Sequence, residues 1–177
     1  ALEFNLQPTN DAWCRDHGPA FLVKEGSADR LLVNWEYNAW GGKYPPFSDD
    51  NALPITIATR LSLPVVSPGI IMEGGSVDFN GAGTVITSRS CLLNPNRNPH
   101  LTQTQIEEYL QRYYGVSQVL WVSDGIVGDD TDGHIDDTVR FVNANTVIAM
   151  VEPNEQDENH AVLAANLAEL KQMTLLD

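Results

Sequence analysis

Three stretches of the chain repeat one pattern, and that repetition restricts the fold more than any other feature. Each opens with two short runs of strand-forming residues parted by a polar turn, the signature of a β-hairpin. The runs are Pro19–Lys24 and Leu31–Trp35, then Gly75–Phe79 and Thr84–Thr87, then Thr138–Val142 and Thr146–Val151. A helix is expected after each hairpin. Ser48 and the acids at 49–50 precede the first, a segment running to about Leu61 with Pro54 expected in its first turn, where the missing N–H is tolerated. The second is capped by Thr102 or Thr104, ends at Gly115, and could use Thr104 with Glu107 as a capping box. The third spans Asn159–Met173. Strands follow the first two helices at Leu63–Val66 and Gln118–Val122, and Leu2–Leu6 reads as the closing strand of a preceding unit. The expected class is therefore α/β, built from about three hairpin–helix–strand units near 7–66, 67–122 and 123–177.

One acidic residue stands just before each hairpin: Asp16 in Trp13-Cys-Arg-Asp-His-Gly18, Glu73 in Glu73-Gly-Gly-Ser76, and Asp136 in Gly133-His-Ile-Asp-Asp137. Equivalent positions in radially arranged units converge at one end of the assembly, as in a propeller. Three units do not close such a ring, so the 177 residues are expected to be about half of a longer protein.

Each motif carries two readings. Asp16 is either the partner of Arg15 in a turn or a carboxylate aimed at a ligand, with Trp13 lining the same pocket or lying in the core. Glu73 before two glycines is either a plain turn or an acid placed by backbone that tolerates positive φ and close approach. His134 and Asp136, taken as extended, share one face while Ile135 points into the core with Val139 and Phe141. The pair is either structural or a proton-transfer site, since histidine titrates near neutrality.

Composition narrows the partners. Lys and Arg total 10 against 24 acids, a net charge of −14. That disfavours nucleic acid and anionic membranes, which need a basic footprint. Ten acids and one base, Arg140, fall between residues 121 and 160. Most of these, Asp124, Asp129, Asp130 and the Glu152–Glu158 run included, are read as solvated surface. The chain has no apolar run long enough for a membrane span. Its two cysteines, Cys14 and Cys91, form no disulfide framework, so a cytoplasmic setting is the default. Asp129–Gly133 fails EF-hand spacing and His134 with His160 lacks zinc spacing. No metal and no cofactor is expected.

Asn10–Pro19, Asn38–Lys43, Glu73–Ser76, Leu92–His100 and Gly133–Asp136, taken together and in this order, resemble the agmatine deiminase family, also labelled bacterial-type peptidylarginine deiminase. The resemblance implies a pentein fold, a five-bladed α/β propeller. It also implies hydrolysis of agmatine to N-carbamoylputrescine and ammonia through a cysteine-bound amidino intermediate, a step of putrescine biosynthesis. By the same likeness Asp16 and Asp136 grip the guanidinium, His134 moves protons, Glu73 orients His134 and sustains its charge, and Trp13 lines the substrate pocket. The family's nucleophile lies in a Gly-rich stretch ending His-Cys near its C-terminus. Neither Cys14 nor Cys91 matches it, so the chain alone is expected to be inactive. Many relatives carry Thr at the place of His17, which bears on substrate preference. Deimination of free or peptidyl arginine and a non-catalytic scaffold remain the alternatives, and a homo-oligomer is left open.

Overall fold

The computed structural model describes Leu2 and residues 4–176. These residues fall into two compact units, divided between Gly74 and Gly75, each with its own sheets.

The first unit begins with one helical turn, α1 (Cys14–His17), and then a hairpin, β1 (Ala20–Val23) and β2 (Arg30–Val33), paired antiparallel. After a turn at α2 (Ala39–Gly42) comes α3 (Ser48–Leu61), which returns the chain to β3 (Val65–Val66), parallel to β2. Beyond β2 the pairing continues as single bonds. Asn34 N–H donates to Val66 O, Glu36 N–H to Ile70 O and Met72 N–H back to Glu36 O, at 2.9–3.0 Å. This extension carries the chain to Glu73.

The start of α3 departs from expectation. Helix geometry begins at Ser48, which leaves Pro54 in the interior and not in the first turn. Pro54 forgoes a bond to the Asp50 carbonyl, a defect of about 3 kcal/mol in an isolated helix. Phe47, at the cap position, makes no side-chain cap bond. The cap comes from elsewhere. Asn10 Oδ1 accepts the Asp49 N–H at 2.8 Å, while Asp50 Oδ1 accepts the N–H groups of Asn10 and Asp11 at 2.7 and 3.2 Å. Burial of Leu53, Pro54 and Ala58 supplies the remaining hold.

The second unit repeats the design. A hairpin, β4 (Val77–Phe79) with β5 (Thr84–Ser88), leads through the short α4 (Arg89–Leu92) to α5 (Gln103–Tyr114) and then to β6 (Gln118–Val122), parallel to β5. The capping box on α5 is Thr102 with Gln105. Thr104 lies inside the helix, and Glu107 accepts from Trp121 Nε1 at 2.8 Å instead. The last hairpin, β7 (Val139–Asn143) and β8 (Thr146–Ala149), is followed by α6 (His160–Leu170), shorter at both ends than expected. Ile86, Val122, Ile135 and Val139 form the unit's core, with Phe141, Val147 and Leu170 packed on it. Asp78 of β4 binds β7 by accepting from Arg140 Nε and Phe141 N–H at 2.9 and 2.6 Å.

The strand expected at Leu2–Leu6 does not form: Leu2 and residues 4–9 have no regular structure, while Glu3 lies outside the described residues. No described helix is long and apolar enough to cross a membrane.

Candidate functional site

In the first unit, α1 is a single turn that sets Asp16 inward. Asp16 is 6% exposed and accepts a 3.0 Å hydrogen bond from Trp40 Nε1. Trp40 is placed by an unusual turn. Ala39 and Trp40 both hold left-handed backbone, at φ 52° and 55°. Such residues cost of order 1–3 kcal/mol each. Asn38 Oδ1 steadies the turn by accepting the Gly41 N–H at 2.9 Å. A hydrogen bond to a carboxylate contributes about 1.5–3 kcal/mol, so the bond to Asp16 is of the size needed to hold one strained residue.

Tyr37 packs edge-on against Trp40, ring centres 5.6 Å apart, and against the His17 ring at 5.5 Å. It is 3% exposed, and its hydroxyl has no hydrogen-bond partner among the described residues. Burial, and then the charges of Asp16, Asp50, Glu73 and Asp11, raise its phenol well above the ordinary tyrosine range. Asp16 and Glu73 thus act on one neutral donor. His17 Nε2 lies 3.7 Å from Asp50 Oδ1, both groups buried.

Glu73 is 1% exposed. Its following glycine serves close approach: a Cβ on Gly74 would collide with the Arg15 carbonyl oxygen. Positive φ is not the reason, because the segment from Gly74 to Ser76 is a 3-10 turn and neither Gly74 nor Gly75 has positive φ. Trp13, at the cap of α1, is 64% exposed, which removes it from the core.

In the second unit, His134 is 3% exposed. It is not on an extended strand. It precedes a 3-10 turn, Ile135–Asp137, and this turn brings Asp136 Oδ1 to 4.0 Å from His134 Nδ1 while Ile135 enters the core. The two polar groups meet as expected, by turn geometry and not by strand alternation. Asp136 is partly buried.

Asp129, expected to be solvated, is a structural acid. Its Oδ1 accepts from Thr131 N–H and Oγ1 at 2.7 and 2.5 Å, and its Oδ2 from the N–H groups of Gly133 and His134 at 2.9 and 3.2 Å. Cys91 is fully buried and Cys14 exposed. Tyr37, His17, Asp50, Asp129 and Arg97 were not among the residues expected at a site. The Asn38–Lys43 segment of the resemblance was the one visible signal, at Trp40.

A carboxylate held by an indole N–H, a buried glutamate and a buried His–Asp pair are groups that bind cations and move protons. The family model described as Porphyromonas-type peptidyl-arginine deiminase matches residues 2–177. The agmatine deiminase of Pseudomonas savastanoi pv. phaseolicola is 41% identical over 168 residues, covering 92% of this chain and 45% of that protein. Among solved structures, a serine-for-cysteine variant of C. jejuni agmatine deiminase with substrate bound matches at a TM-score of 0.89 and 40% identity, over 96% of this chain and 50% of that one. The agmatine deiminase of Enterococcus faecalis matches at 0.90 and 33% identity, over 95% and 47%. The chain spans about half the length of the curated relatives it matches. Its α/β fold with small sheets is that of the agmatine deiminase structures. The chain belongs to the Porphyromonas-type peptidyl-arginine deiminase family.

Proposed function

We propose that the protein containing this chain hydrolyses the guanidino group of agmatine, giving N-carbamoylputrescine and ammonia. The observation that carries this is the burial of Asp16, Glu73 and His134 in a chain 41% identical to an agmatine deiminase. A guanidinium is a planar fork of N–H donors and matches carboxylates in bidentate geometry. Asp16 and Asp136 take that role, and the exposed Trp13 covers the aliphatic part of the substrate. A cysteine thiolate, supplied by residues outside this chain, attacks the guanidinium carbon. His134 gives its proton to the departing ammonia. It then takes a proton from the water that attacks the amidino thioether, and the ureido product leaves as the thiolate is restored. Glu73 sustains the charged form of His134 by its negative charge. The fold that goes with this chemistry is a five-bladed propeller, of which the chain supplies three units. The same reading assigns the reaction to putrescine biosynthesis, in the cytoplasmic setting that the two unpaired cysteines suggest.

The test is ureido product formation by the full-length protein and by the 177-residue chain, each given agmatine, free arginine or an arginyl peptide. Turnover of agmatine by the full-length protein alone is expected. Preference for an arginyl substrate, the reading favoured by the family description, would reassign the substrate. Turnover by the chain itself would overturn the assignment of the nucleophile.

A further inference from the structure

The loop before His134 is built more heavily than a surface turn needs. Asp129 spends both carboxylate oxygens on four donors between Thr131 and His134. The His134 N–H also meets Thr131 Oγ1 at 3.0 Å, so Thr131 passes the hold of Asp129 to the same amide. From the other side comes Arg97, in the Leu92–His100 segment that carries part of the family resemblance. Arg97 is 4% exposed. Its guanidinium donates to Asp132 Oδ2 at 2.6 Å and to the Thr131 carbonyl at 2.8 Å. Asn96 Nδ2 adds a bond to Asp132 Oδ2 at 2.9 Å. Asp132 itself holds left-handed backbone, φ 67°, which the loop has to keep in place.

The hold is tight at the last residue before the histidine. Gly133 lies at φ 105°, and a Cβ there would collide with Ser90 Oγ. The Ser88 hydroxyl donates to the Gly133 carbonyl. The backbone entering His134 is therefore fixed by Asp129, by Arg97 through Thr131 and Asp132, and by Ser88.

We propose that Asp129 and Arg97 are a pair of positioning residues that set the imidazole of His134 for proton transfer. The proposal rests on the reading of His134 as the proton-transfer group. Neither residue touches the reacting atoms. Asp129 acts on the amides of Gly133 and His134 and Arg97 on Thr131 and Asp132 of the same loop, and an error of about 1 Å at a reacting group costs on the order of 100-fold in rate.

Asp129→Asn keeps the size of the side chain but leaves an N–H₂ where one pair of donors was satisfied. Arg97→Lys keeps the charge but loses the two-pronged grip. In the full-length protein each variant should lower kcat about 10- to 100-fold, with KM for agmatine within about threefold. The double variant should lose much less than the product of the two, because both act through the one loop that enters His134. Glu158→Gln, at an exposed position ahead of α6, should change neither constant.

A second readout does not depend on activity. Diethyl pyrocarbonate modification, mapped by mass spectrometry, should leave His134 protected in the wild type and label it in Asp129→Asn. Undiminished kcat in folded Asp129→Asn would overturn the proposal, as would losses that multiply in the double variant. If the full-length protein hydrolyses no guanidine, the function fails separately. The labelling then decides: a protected His134 in Asp129→Asn overturns the positioning role, and a labelled one supports it.

Discussion

Asp16, Tyr37 and Trp40 make a chain in which each group depends on the next. The carboxylate holds the indole N–H, the indole packs on the phenol, and the phenol stays neutral among acids. A raised phenol pKa means that the folded protein keeps the proton which the unfolded chain loses above about pH 10. The stabilisation is complete below that pH and is lost as pH rises, at up to about 1.4 kcal/mol per pH unit. Tyr37→Phe should remove one proton from this dependence. Urea unfolding of the two proteins at pH 9 and pH 11 measures it, and equal losses of stability in both would refute the assignment. Asp16 and Glu73 were legible in the sequence because each stands in a short motif beside its hairpin. Tyr37 was not, because its neighbours Asp11, Asp16, Asp50 and Glu73 come from segments far apart in sequence. Nor was Asp129: in a run of acids, nothing local tells the one that binds four donors from those in water.

The hairpins and helices were legible because β-branched runs and 3.6-residue periodicity are local signals. All three hairpins stand near their expected positions, and so do the helices. The errors lie where tertiary contacts overrule local preference. Pro54 sits inside α3 because Asn10 and Asp50 fix the helix start one turn earlier than proline alone would choose. His134–Asp136 reads as extended, yet the bonds to Asp129 and the burial of Ile135 wind it into a turn. The cap of α3 can be tested directly. Asn10→Ala removes the acceptor for the Asp49 N–H and should cost about 1 kcal/mol. A thermal melt should fall by roughly 2–4 °C for a chain of this size. An unchanged melt would mean that Asn10 is not the cap in solution.

At the scale of the molecule, the described residues form two sheets of three strands and one of two. β1–β2 gains β3, and β4–β5 gains β6, but β8 pairs only with β7 among the described residues. Ile148 is 60% exposed there, beside the exposed Met150 and Val151. An open strand edge with apolar side chains invites pairing between molecules. The purified 177-residue chain should therefore associate with rising concentration, and Ile148→Lys should suppress it. Light scattering across a dilution series decides the matter; a wild-type chain that stays monodisperse would contradict it. The net charge of −14 opposes such association only over about 8 Å at physiological salt.

The reciprocal bonds between Asn10 and the start of α3 also order events in time. They join residues 39 and 40 positions apart. Closing a loop of that length costs about 3 kcal/mol of chain entropy before any bond is made. A helix with a proline inside it and no cap of its own has little to draw on until then. α3 should thus be a late arrival in folding, appearing only once the segment that carries Asp16 has come back to meet it. A mutation that slows that return would delay the helix and the acid together.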